Sequence, residues 1–388
     1  MSQQPAREDL VARLDAALER SVPATTSPGA QAALVRAGGL VWAGSHGLAE
    51  ISSDTPVTDE TVFCLASLGK TLVAALVLHQ VEEGLVDLDV PIGEVLGEVP
   101  GADEVTPRML LTHTAGYPDI YESPELAPLF PLEGHVEEGG TAYDPDRRFT
   151  WEMLLPGFRD PVDPGRRWEY SNGGYILVTE LLGRLLGGPA ALAEAWAKLA
   201  DRAGAGRIRD DVLTMDRSRV RLDRLAHGYV EQPDGTLVDA YAAHPPAGVP
   251  TDLFGLPFGD GLFAGTAVGA AAFLDALFVR RTVLDPVSLD LMTTTTPQAA
   301  AAVGEVPDPA LATYGMGTFS VDVDGSTWRG HRGTYGGFNV IAMSDAGRGE
   351  TVAVLTNVMG PEPRAVPIWR ALVGALDPQD VTAGDAAG

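Results

Sequence analysis

The chain has 388 residues, 45% of them hydrophobic, and a formal charge of -26. That length supports one or two domains with a substantial core, and such acidity without a basic patch disfavours nucleic acid and anionic membrane surfaces as partners. A single cysteine, Cys64, excludes an internal disulfide, and there is no Cys cluster with metal-ligand spacing.

In chain order, Leu10, Val11, Leu14, Ala17 and Leu18 recur at helical spacing within Glu8 to Arg20, which predicts an opening amphipathic helix. The stretch preceding and containing it has no apolar core of a signal peptide, and no later run reaches about 18 apolar residues, so a cytoplasmic protein is expected. Residues 31 to 44 form two short apolar runs joined by Ala37-Gly38-Gly39, the pattern of a β-hairpin. Helical patterns follow over Leu72 to Glu83, Gly174 to Leu186, Ala190 to Ala203 and Thr266 to Phe278. Between them, Asp119 to Phe149 is rich in Pro, Glu and Gly and reads as a long, cleft-lining loop. Strand patterns return at Phe338 to Met343 and Thr351 to Asn357, and Arg364 to Leu376 reads as a closing helix. These elements predict a mixed α/β chain: a sheet-containing domain from residues 1-65 and 300-388, with a mainly helical domain over 66-299 inserted between them. An active site is expected where the two meet.

Three strings carry chemistry. In the first, Ser67 precedes Lys70 by three positions at a predicted helix start, so the amine and the hydroxyl share a face. A serine hydroxyl is a poor nucleophile until a neighbour takes its proton. Only two residues of the chain are lysine, Lys70 and Lys198, the remaining basic residues being arginine. Arginine stays protonated in proteins, whereas lysine can accept a proton, so the choice at position 70 is informative. The backbone N–H of Ser67, in the first helical turn, is a candidate oxyanion donor. In the second string, Tyr170 and Asn172 lie two apart before a helix, where a phenol relays protons and an amide holds Lys70 or substrate. In the third, His331-Arg332-Gly333-Thr334 precedes the C-terminal strands; Gly333 permits close backbone approach, and the N–H of Thr334 is the second candidate oxyanion donor.

Together these strings resemble the serine β-lactamase and penicillin-binding-protein superfamily, in particular the branch of class C β-lactamases, D-Ala-D-Ala carboxypeptidases, D-aminopeptidases and β-lactamase-fold esterases. Leu110-Leu111-Thr112-His113-Thr114-Ala115-Gly116, Gly261-Leu262-Phe263 and Tyr314-Gly315-Met316-Gly317 are similar to strings of that branch, so the resemblance covers nearly the whole chain. It implies an α/β (α+β) fold, an antiparallel sheet flanked by helices with an inserted mainly helical domain, catalysis by Ser67, Lys70 and Tyr170 through an acyl-serine, an oxyanion hole from Ser67 and Thr334, and no cofactor or metal. Asn172, His331, Arg332, Gly333 and Tyr117 are the substrate-binding candidates. Many members carry a lysine where this chain has His331, so a fixed positive charge for a substrate carboxylate is weakened, and uncharged esters, thioesters or activated amides are the expected acyl donors. Transfer to an amine or alcohol acceptor, as in transacylases and cyclising thioesterase-like enzymes, is the alternative to hydrolysis. A catalytically silent penicillin-binding module is disfavoured by the intact Ser67, Lys70 and Tyr170.

Overall fold

A computed structural model describes residues 4–126, 150–203, 213–214, 222–240, 259–261, 263–302 and 313–376. Its centre is an antiparallel sheet of eight strands: β1 (Gly29–Arg36), β2 (Gly39–Glu50), β3 (Thr55–Pro56), β4 (Thr313–Tyr314), β5 (Phe319–Val323), β6 (Ser326–Tyr335), β7 (Phe338–Asp345) and β8 (Glu350–Thr356). The order across the sheet is β3-β2-β1-β8-β7-β6-β5-β4. β1 therefore pairs with β8, Ala30 opposite Thr356. The expected hairpin is β1 and β2, turning through Ala37 (φ 43°) and Gly38 (φ 85°), the pair of positive φ values that a two-residue turn between twisted strands requires.

Side-chain alternation sorts the sheet into two faces. Leu34, Ile341, Val352 and Val354 pack with Leu10 and Leu14 of α1 (Gln4–Ala24) and with residues of a C-terminal helix (Ala365–Gly374), notably Ile368 and Trp369. Their neighbours Ala33, Val35, Ala342, Ala353 and Leu355 face the main core. There the strand residues are small, and an alanine-rich helix, Ala267–Leu274, lies closely on β1, β7 and β8. This helix was expected within the helical insert over 66-299; its packing puts it in the sheet layer, because its small side chains match the alanines of the strands.

The helical layer is organised by α2 (Gly69–Glu82), in which every residue from Gly69 to Gln80 is buried. A helix apolar all round belongs in a core rather than at a surface. Beside it run α3 (Asn172–Leu186) and α4 (Pro189–Arg202). No single helix among the described residues is long and apolar enough to cross a membrane. Of the loop expected over Asp119 to Phe149, residues 127–149 lie outside the described residues, as does Leu262.

Candidate active site

Phe63–Cys64 is pinned by antiparallel pairing to Ala264–Gly265, and the chain then turns sharply into α2. Ser67 sits in a 3-10 turn, Ala66–Leu68, immediately ahead of α2, so the helix begins two residues later than the hydroxyl. Ala66 takes a positive φ of 45°, a conformation costing a residue with a β-carbon about 1 kcal/mol or more, and one that packing must hold. That strained turn presents Ser67 toward Lys70.

Lys70 is fully buried. Its Nζ donates to Ser67 Oγ (2.9 Å), Asn172 Oδ1 (2.8 Å) and the main-chain oxygen of Asp260 (2.8 Å). The amide and main-chain oxygens can only accept, so two N–H bonds are committed to them and the remaining position on nitrogen, an N–H in the ammonium and the lone pair in the free amine, faces the candidate nucleophile. Asn172 opens α3, and Ser171 caps that helix through its Oγ to Gly174 N. The Asn172 amide is orientated from behind: its Nδ2 donates to Asp119 Oδ2 (2.8 Å), leaving Oδ1 for the lysine. The Tyr170 ring lies beside the amine, 5.0 Å from Nζ to its centroid, and the Tyr175 ring lies at 5.6 Å.

From the sheet side, β6 brings Gly333 against the turn that carries Ser67. A β-carbon there would lie 2.6 Å from Ser67 N, 2.7 Å from Leu65 O and 2.9 Å from Ala66 Cβ, so the close approach expected at this glycine is present. The side chain of Thr334 is exposed, and its Oγ1 accepts a bond from Asn339 Nδ2 (2.6 Å).

Three candidates stand elsewhere than expected. His331 was expected to face the cleft, yet its ring is buried against Phe319, with Nδ1 bonded to the carbonyl of Arg332 and Nε2 lying 3.4 Å from the Tyr314 hydroxyl. Burial first, and the charge of Lys70 second, hold its imidazole well below the ordinary histidine value, so it is neutral at pH 7. Arg332, next on the strand, points to the opposite face, where it lines a crevice with Phe319, Trp369 and Arg370. Tyr117 is buried against Phe158, and its hydroxyl donates to Pro100 O (2.8 Å); burial pushes the phenol up, and the residue serves the core of the helical layer. Ser67, Lys70, Tyr170, Asn172 and Gly333 do converge.

The sequence reading missed four residues that build this site. Asp260 holds Lys70 through its backbone, and its carboxylate accepts the Tyr121 hydroxyl; desolvation raises that carboxyl while Lys70 opposes the rise. Asp119 orientates Asn172, as described. Tyr121 stacks on Tyr335 from the far end of β6, with centroids 6.3 Å apart. His113 packs its ring on Tyr170 at 4.3 Å. The sequence signal for Asp119, Tyr121 and His113 was their position in and just after the Leu110 to Gly116 string, whereas a backbone carbonyl leaves no signal in residue types.

A family model described as Beta-lactamase matches residues 14–376. Among curated relatives, the chain is 36% identical over 113 residues to esterase EstB of Burkholderia gladioli, covering 28% of this chain and 29% of that one. It is 28% identical over 194 residues to penicillin-binding protein 4* of Bacillus subtilis, covering 50% and 40%. The matched segments thus span less than half the length of these relatives. Among solved structures, D-amino acid amidase from Ochrobactrum anthropi, complexed with D-phenylalanine, superposes with a TM-score of 0.75 at 22% identity over 95% of this chain and 98% of the other. That likeness is one of fold.

Proposed function

The chain belongs to the Beta-lactamase family, and from that premise we propose that it is a serine hydrolase that forms an acyl-enzyme on Ser67 from an uncharged ester, thioester or activated amide. The observation that carries this reading is the 2.9 Å contact between Ser67 Oγ and the Nζ of a fully buried Lys70 whose other two bonds are already committed. Ser67 Oγ attacks the acyl carbon as its proton passes to the unprotonated Lys70, with Tyr170 as the adjoining relay; the two residues act as a coupled pair. The N–H groups of Ser67 and Thr334 receive the oxyanion, which the close approach of Gly333 to the turn supports. Collapse of the tetrahedral species breaks the bond to the leaving alcohol, thiol or amine, which takes the proton. Water then adds to the acyl-serine by the reverse path and releases the acid.

Preference for uncharged substrates follows from the third string. His331 is neutral and buried, and Arg332 is on the far face of β6, so neither supplies a fixed cation to the cleft. Intact-protein mass spectrometry after treatment with a fluorophosphonate or an activated ester tests the reading. One adduct on Ser67, absent from Ser67→Ala, is expected, and turnover retained in Ser67→Ala would refute it. A panel of esters, D-amino-acid amides and acyl thioesters, with and without amine acceptors, separates hydrolysis from transfer, the product in the presence of amine being an amide if the acyl group is transferred.

A further inference from the structure

Behind Tyr170 lies a buried polar group that the proposed reaction does not use. It consists of His113, Tyr314 and His331, which are 2%, 2% and 1% exposed. Its hydrogen bonds run in one direction because each end is a backbone group whose role is fixed. The N–H of Ser171 donates to His113 Nδ1 (3.2 Å), so that nitrogen is an acceptor and the neutral ring carries its proton on Nε2. His113 Nε2–H therefore donates to the Tyr314 hydroxyl (3.0 Å). At the other end the carbonyl of Arg332 can only accept, so His331 is protonated on Nδ1 and its Nε2 is an acceptor facing the Tyr314 hydroxyl at 3.4 Å. The Tyr175 hydroxyl also faces Tyr314, and because its own proton goes to Leu111 O (2.8 Å), it shares the single Tyr314 proton with His331 Nε2, which makes Tyr314 the hub of the group.

The two ends of this chain are informative. Ser171 lies between Tyr170 and Asn172, and Arg332 lies between His331 and Gly333. We propose that His113 and Tyr314 are positioning residues: with His331 they tie the segment carrying Tyr170 and Asn172 to the strand carrying Gly333, fixing the two walls of the cleft at a set distance across Ser67. Acting through residues of the proposed acyl-transfer site, this proposal rests on the Ser67 reading. The left-handed backbone of His113 (φ 57°), uncommon for a residue with a β-carbon, aims its ring between the two walls.

The tie holds only while His113 is neutral. Protonation would place an Nδ1–H against the N–H of Ser171, two donors face to face. The groups around that ring are Lys70, His331, Tyr170, Tyr175 and Tyr314. Burial first, then the charge of Lys70, hold its imidazole well below 6.5, which keeps the tie closed at neutral pH.

Nitrogen-15 NMR of ring-labelled histidines in the unaltered protein at pH 7.5 tests the direction of the chain. Opposite tautomers are expected, Nε2–H at His113 and Nδ1–H at His331; finding both rings as Nε2–H would overturn the proposal. In Tyr314→Phe, which keeps the ring but removes the central link, acylation by a neutral activated ester should slow by about tenfold or more with KM unchanged, because the reacting groups lose register rather than contacts with substrate. An unchanged acylation rate in a folded Tyr314→Phe protein would equally overturn it. If the unaltered protein forms no adduct at all, the Ser67 reading fails, and the tautomers, measured without substrate, still decide the chain.

Discussion

Gly333→Ala puts the geometry of the cleft to a direct test. The added β-carbon would meet Ser67 N at 2.6 Å, Leu65 O at 2.7 Å and Ala66 Cβ at 2.9 Å. Two of these atoms are main chain and the third is fixed to it, so no flexible side chain can swing aside, and β6 and the nucleophile turn must separate by several tenths of an ångström. Overpacking of this kind costs about 1–3 kcal/mol of stability. The displacement falls on the amide beside Ser67 and on the strand that carries Thr334, and misplacing reacting groups by about 1 Å costs about 100-fold, so acylation should slow by about 10- to 100-fold. Gly183→Ala is the matched control: it lies within α3, and nothing is within 4 Å of its added β-carbon. That change should stabilise the fold by about 0.5–1 kcal/mol and leave the rate alone. Urea unfolding and kcat/KM for a neutral ester, measured on both variants, give the comparison. A Gly333→Ala enzyme within threefold of the unaltered rate would show that close approach of β6 to Ser67 is not needed.

Three further outcomes are expected. Lys70→Arg should lower acylation by about 10²- to 10⁴-fold despite retaining the charge, since a guanidinium cannot take the serine proton; stopped-flow acylation measures this. The neutral imidazoles of His113 and His331, held below the 6.5 they regain on unfolding, contribute stability that is full above 6.5 and is lost as pH falls below it. Urea unfolding between pH 6.5 and 5.5 should therefore show a decline approaching about 1.4 kcal/mol per pH unit for each histidine, with a shallower decline in His331→Gln. Asn339→Ala should cost about 1–3 kcal/mol, also read from urea unfolding, because its Oδ1 accepts from Arg364 N and Ala365 N at the start of the C-terminal helix while its Nδ2 holds Thr334 Oγ1.

Much of the fold was legible because it is written in local periodicity. The helical spacing of Leu10, Leu14 and Leu18, the Ala37-Gly38 turn, and the apolar runs that became β7 and β8 each declare their element within about a dozen residues. Ser67 and Lys70 were legible for the same reason, being three apart on one turn. The site's remaining parts depend on contacts between distant segments: Asp260 reaches Lys70 across 190 positions, and His113 reaches Tyr314 across 201. His331 was misplaced because a histidine beside a glycine-rich string reads the same whether its ring faces a cleft or a core, and burial decides which. Arg332 lies on the face away from His331 because adjacent side chains on a strand face opposite ways.

The pairing of β1 with β8 bears on how the chain is made. Ala30 to Arg36 leave a ribosome more than 300 residues ahead of their partners at Glu350 to Thr356, a wait on the order of tens of seconds. Throughout it the first hairpin presents the bare edge of a strand that is almost wholly buried in the finished sheet. High contact order of this kind slows folding and leaves an apolar template open to other chains. Ser67 is also synthesised long before β6, so the wall formed by Gly333 cannot close on it until that strand has been made. Nascent chains that lack this strand should therefore remain inert toward acyl donors.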